Sequence, residues 1–199
     1  MSVSQKFARP DPALEQPTLE TRRLVLRPFD QKDAPTVQQL AGRFEVADTT
    51  LNIPHPYREG VAEAWILTHN QLYRAGALVN FAIVIRETDQ LIGAIGLRVQ
   101  PGHQRGELGY WIGLQYWRLG FCTEAADAVI AYGFRQLGLH RIHASHFSRN
   151  PASGRIMQKL GMRHEGVLRE HVRKWDQFED LEKYALLRSE YEDQCRKAK

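Results

Sequence analysis

Cysteine is scarce: the chain has only Cys122 and Cys195 in 199 residues. Two thiols that far apart do not make a disulfide framework, so a reducing, cytoplasmic setting is expected. No apolar run approaches the roughly 18 residues that a membrane-spanning helix requires. The opening MSVSQKFARPDPALEQP has no apolar core of a secretory signal, so neither secretion nor a membrane partner is expected. Neither GxGxxG nor GxxxxGK[ST] occurs, which argues against a dinucleotide dehydrogenase and a P-loop nucleotide hydrolase. HExxH and CxxC are missing too. His140, His143 and His146 recur at every third position, but on a strand that spacing alternates faces, so no metal site is expected. There is no internal repeat and no long run of one charge. The 27 Lys and Arg against 23 acids give a formal charge of +4, spread along the chain, and no nucleic-acid partner is expected from it.

What remains is an ordinary globular composition, 43% hydrophobic and 25% charged, with a length that suits one domain. Residues 1–20, with Pro10, Pro12 and Pro17, read as an irregular arm, residues 21–188 as the domain and residues 189–199 as a frayed tail. Alternation around Arg23, Val25 and Arg27 predicts a first strand, stopped by Pro28. Two helices follow, over Asp30–Ala41 and about Glu59–Arg74, separated by the loop NIPHPY. LVNFAIVIR and LIGAIGLRV, joined by the polar ETDQ, predict a hairpin, and ELGYWI a fourth strand. Ala126, Ile130, Phe134 and Leu137 mark the inner face of a long helix. After a strand at Arg141–Ser148, Asn150-Pro151 opens a helix that Gly161 closes, and two strands end the domain. The order mixes antiparallel hairpins with a β-α-β crossover, so the fold class expected is α/β or α+β around one mixed sheet.

The chemistry concentrates in Gly109–Ala125, GYWIGLQYWRLGFCTEA: strand, tight loop, helix. Such a junction aims free backbone N–H groups and the positive end of the helix dipole at one spot, which suits a diphosphate. Gly120 would let the backbone approach the phosphates, and Arg118 could add a charge-assisted contact.

The segments ETRRLVLRPF, NIPHPY, LIGAIGL, ELGYWIGLQYWRLGFCTEA and NPASGRIMQKLGM resemble the GNAT superfamily of N-acetyltransferases, in its RimJ/RimL-like branch, from about Thr21 to Leu187. The resemblance implies a mostly antiparallel sheet of seven strands flanked by about four helices, its strands splayed at the cofactor site. WRLGFC matches the family's phosphate motif at its central Gly120 and departs at Trp117 and Cys122. On that basis Trp117, Arg118, Leu119, Gly120, Phe121, Cys122 and Thr123 would cradle the diphosphate of acetyl-CoA. Backbone groups of Trp111, Ile112 and Gly113 would hold the acetyl carbonyl and pantetheine, with Asn150 and Ser153 as a second contact. Glu107 matches the acid that acts as base, and Ser153 stands in as acid because Met157 occupies the place of the family's usual tyrosine. His55 and Tyr57 would line the acceptor cleft.

The function implied is acetyl transfer from acetyl-CoA to a primary amine in a ternary complex, most of all a protein N-terminal α-amine of ribosomal type. Alternatives are a small amine, such as a polyamine, amino acid or aminoglycoside-like compound, and a sensor that binds acyl-CoA without turnover. The branch also implies a homodimer.

Overall fold

The computed structural model describes residues 15–197, so most of the N-terminal arm lies outside the described residues. Eight strands form one sheet in the order β1-β2-β3-β4-β5-β6-β8-β7. They are β1 (Leu19–Glu20), β2 (Leu24–Arg27), β3 (Leu78–Ile85), β4 (Gln90–Gln100), β5 (Arg105–Ile112), β6 (Arg141–Phe147), β7 (Arg163–Lys174) and β8 (Gln177–Leu187). Every neighbouring pair is antiparallel except β5 and β6. The helices are α1 (Ala34–Ala41), α2 (Phe44–Asp48), α3 (Val61–Arg74), α4 (Phe121–Arg135), α5 (Pro151–Lys159) and α6 (Arg188–Lys197).

This is the mixed, mostly antiparallel architecture expected, with one strand and two helices more than the sequence pattern suggested. The extra strand, β1, is two residues long and too short to show a period. The C-terminal segment read as a tail is instead α6, held by Tyr191, which is buried and stacks on Phe134 of α4 at 4.9 Å. Its remaining face is polar, so no apolar stripe announces it.

Two cores cover the two faces of the sheet. On one, α4 and α5, the latter through Met157, close over Leu24, Phe81, Ile95, Leu97 and Ile142. On the other, α1 and α3 cover Ala82, Val84 and Leu91. Alternation along β5 sends Leu108, Tyr110 and Ile112 to the α4 face and Trp111 to the α1/α3 face. One of two expected caps follows the sequence rules. Asn150 accepts a bond from the Ser153 amide at the head of α5, with Pro151 behind it. Asp33, by contrast, sits at the N-cap of α1 without capping it, because its carboxylate accepts from the Arg27 guanidinium at 2.7 and 2.8 Å. No helix among the described residues is long and apolar enough to cross a membrane.

Candidate functional site

The parallel pair is where the sheet opens. Strands β5 and β6 pair only through Arg105↔Arg141, Gly106↔Ile142 and Glu107↔His143. Beyond that point Leu108–Ile112 and Ala144–Phe147 diverge, and peptide groups along both sides of the gap lack a strand partner. The helix that follows β5 begins beside this opening.

Gly120, with φ +80°, stands at the N-cap of α4, and no side chain caps the helix. The first amide bonded along α4 is that of Glu124, to the Gly120 carbonyl at 3.1 Å. Among the described residues the amides of Phe121, Cys122 and Thr123 therefore have no hydrogen-bond partner and stand as donors at the positive end of a 15-residue helix. That donor set fits the diphosphate of acetyl-CoA. Arg118, also at positive φ (+63°), is exposed beside it, as are Trp117 and Leu119.

Two details of this junction add to those expectations. A Cβ at Gly120 would meet the Nη2 of Arg23 at 3.3 Å, so this glycine makes room for a guanidinium as well as for the left-handed turn. The Ile112 carbonyl accepts a bond from the Trp117 indole at 2.7 Å, and the Gly113 amide donates to the Ile92 carbonyl at 2.8 Å. Those two backbone groups are committed within the protein. Trp111 packs on the α1/α3 core, the same buried cluster that Tyr57 and Ile53 pack against. Cys122 is a free thiol whose pKa burial pushes up, which keeps it protonated and unreactive.

Glu107 is exposed at the apex of the opening and is not paired with Arg105, whose Nε donates instead to Gln100 at 2.6 Å. Facing it across the parallel pair, His143 is held below the usual imidazole range, chiefly by burial and with Glu107 opposing the shift. His143 therefore stays neutral at neutral pH. Among the described residues no group of three or more His, Cys, Asp or Glu is placed to hold a metal ion.

One residue of the opening escapes the sequence reading. The Tyr110 hydroxyl and Ser153 Oγ share a hydrogen bond of 2.7 Å, linking β5 to the first turn of α5. Burial drives the Tyr110 pKa upward, against the lowering effect of this bond, so the phenol is protonated across the physiological range. Met157, one turn further along α5, is fully buried in the core. The GY pair in the sequence signals a tyrosine on this strand, but nothing in it shows that the ring reaches a residue 43 positions away.

Helix α2 and the loop after it are tied to the β7–β8 hairpin. Lys174, at the end of β7, donates from Nζ to the carbonyls of Ile53 (2.8 Å) and Leu51 (3.3 Å). Arg149 bridges Asp48 of α2 and Glu179 of β8, both at 2.7 Å. Trp175 stacks on Phe44 at 5.5 Å, and His55 packs edge-on to Phe44 while its Nδ1 lies 3.2 Å from the Gly42 carbonyl. The loop carrying His55 and Tyr57 is thus latched to the β7–β8 hairpin.

Comparison with known proteins bears on the family and the fold. The acetyltransferase (GNAT) domain family matches residues 23–163. The uncharacterized N-acetyltransferase YoaA of Bacillus subtilis is 37% identical over 159 residues, 78% of this chain and 88% of that protein. The [ribosomal protein uS5]-alanine N-acetyltransferase of Escherichia coli is 28% identical over 105 residues, 52% of this chain and 54% of that one. A solved structure of RimL, a ribosomal L7/L12 α-N-protein acetyltransferase in complex with coenzyme A, superposes with a TM-score of 0.80 at 15% identity, covering 86% of this chain and 98% of that one.

Proposed function

This chain belongs to the acetyltransferase (GNAT) family, and from that premise we propose which amine it acetylates and which side chains carry the transfer. It is an acetyl-CoA-dependent N-acetyltransferase. The acceptor we assign is the α-amine of a protein N-terminus, in the manner of the RimJ/RimL branch. The observation that carries this choice is a cover: Lys174 holds the loop of His55 and Tyr57, and Arg149 and Trp175 hold α2, against the β7–β8 hairpin. An acceptor under such a cover enters end-on, which suits a chain terminus better than a lysine in the middle of a folded surface. The uS5-alanine relative supports the same class.

The cofactor supplies its acetyl group as a thioester. The free amides of Phe121, Cys122 and Thr123 take the diphosphate, assisted by Arg118, while Asn150 and Ser153 face the pantetheine arm. Trp117, Leu119 and Gly120 shape the loop, and Trp111, Ile112 and Gly113 form the strand wall beside the arm. Glu107 accepts the proton that the amine nitrogen gives up as it attacks, through a water molecule. On the other side of the opening, the Tyr110–Ser153 pair delivers one proton to the sulfur as the carbon–sulfur bond breaks, and solvent restores it. The net movement is one proton from nitrogen to sulfur. His55 and Tyr57 line the path of the acceptor.

Thiol release with three acceptors tests the acceptor class: a peptide with a free N-terminus, the same peptide N-blocked but carrying an internal lysine, and spermidine. The free N-terminus is expected to accelerate release well above the other two. Spermidine alone being active would replace this acceptor with a small polyamine.

A further inference from the structure

We propose that Arg23, in the turn leading into β2, is part of the cofactor site: it sets the shape of the diphosphate loop and offers one guanidinium donor to the phosphate oxygens. This rests on the reading that the start of α4 receives the diphosphate. Arg23 lies about 100 residues from that loop in sequence, yet it ties the loop at both ends. Its Nε donates to Glu124 Oε2 at 2.6 Å and its backbone amide to Glu124 Oε1 at 2.8 Å. Its Nη1 donates to the Leu119 carbonyl at 3.0 Å, and its guanidinium lies over the Phe121 ring, 4.5 Å from the centroid. Thr21 adds a bond of 2.7 Å to Glu124. Leu119, Phe121 and Glu124 are thus all referred to one planar group, and the free amides of 121–123 lie between them.

The remaining nitrogen, Nη2, makes no hydrogen bond among the described residues and lies 3.3 Å from where a Gly120 Cβ would be. It therefore sits against the residue at the centre of the phosphate motif. The first position of that motif supplies no charge, because Trp117 stands there with its indole committed to Ile112. A helix N-terminus contributes only about half a unit charge. A guanidinium whose Nε is held by a carboxylate and whose Nη1 is held by the Leu119 carbonyl, with Nη2 left open, supplies a further donor in fixed geometry without the entropy of ordering a free side chain. Glu124 keeps its charge for this purpose: burial disfavours it, but the bonds from Thr21 and Arg23 outweigh burial and hold its pKa below the usual carboxylate value.

Calorimetric titration of the whole protein with coenzyme A, and separately with pantetheine, which lacks the diphosphate, tests the assignment. Wild type is expected to bind coenzyme A far more tightly than pantetheine. Arg23→Gln should lose at least tenfold in affinity for coenzyme A and leave pantetheine unchanged, while Arg23→Lys, which keeps charge but not the fork, should fall between. Should Arg23→Gln fail to give a cooperative thermal transition, Arg23→Lys carries the test by itself. Wild-type affinity for coenzyme A in the variants, or an equal loss for both ligands, would overturn the role of Arg23. A wild type that does not distinguish the two ligands would instead sink the diphosphate reading beneath it.

Discussion

His69 makes stability depend on pH in a window that few other groups share. It lies on α3, is 6% exposed, and is enclosed by Phe29 and Trp65, with ring centroids at 5.3 and 4.4 Å. One ring nitrogen is 3.1 Å from the Asn80 side-chain amide, and the other, Nδ1, has no partner among the described residues. Burial lowers its pKa from 6.5 to about 4. The folded protein therefore resists a proton that the unfolded chain accepts, so stability is complete above the unfolded value and falls as pH drops toward the folded one. Linkage with these two values gives a loss of about 2 kcal/mol at pH 5 and a limit of about 3 kcal/mol below pH 4. His143, also lowered, acts in the same direction, whereas Asp33, Glu124, Glu165 and Glu182 are lowered carboxylates whose losses begin at more acidic pH. The assay is urea unfolding of wild type and His69→Gln at pH 7.5 and pH 5. The variant is less stable at pH 7.5, and its deficit should shrink by about 2 kcal/mol at pH 5, since the other groups cancel in the difference. A deficit that stays constant between the two pH values refutes the reasoning.

Three further outcomes concern the transfer itself. Glu107→Gln should lower kcat on the order of a hundredfold while leaving the affinity for acetyl-CoA nearly unchanged; a wild-type kcat makes Glu107 an ordinary surface carboxylate. Tyr110→Phe should reduce kcat on the order of tenfold with little change in KM for acetyl-CoA, and should add little to Ser153→Ala because the two hydroxyls act as one unit; full additivity in the double variant argues against the pair. Lys174→Met removes both bonds to the carbonyls of Leu51 and Ile53, so KM for a peptide acceptor should rise several-fold while acetyl-CoA affinity holds, as initial-rate measurements over both substrates would show.

The parts of this molecule that can be read from its sequence are those determined by near neighbours. The hairpin of β3 and β4, the Asn150-Pro151 start of α5 and the strand–Gly120–helix junction all follow from local chemistry. Contacts between distant positions are not legible in this way. Arg23 reads as one more charge in an alternating strand, and Tyr110 as an aromatic on a half-buried one; only the folded chain brings them to Glu124 and Ser153. Helix α6 was missed for the same reason, since its docking depends on Tyr191 meeting Phe134, 57 residues earlier. His55 and Tyr57 were picked out by their loop, but the latch that fixes that loop comes from Lys174 and Arg149, which the sequence leaves unmarked.

The brevity of the β5–β6 seam has a mechanical side. Five strands lie to one side of it and three to the other, and only three residue pairs stitch the backbone together there. A ligand lodged between the two leaves would bear on both of them, so occupancy should add contacts across a seam that its own backbone holds at only three pairs. Amide exchange in β6 and β8, strands that belong to the smaller leaf, is the natural gauge of those contacts.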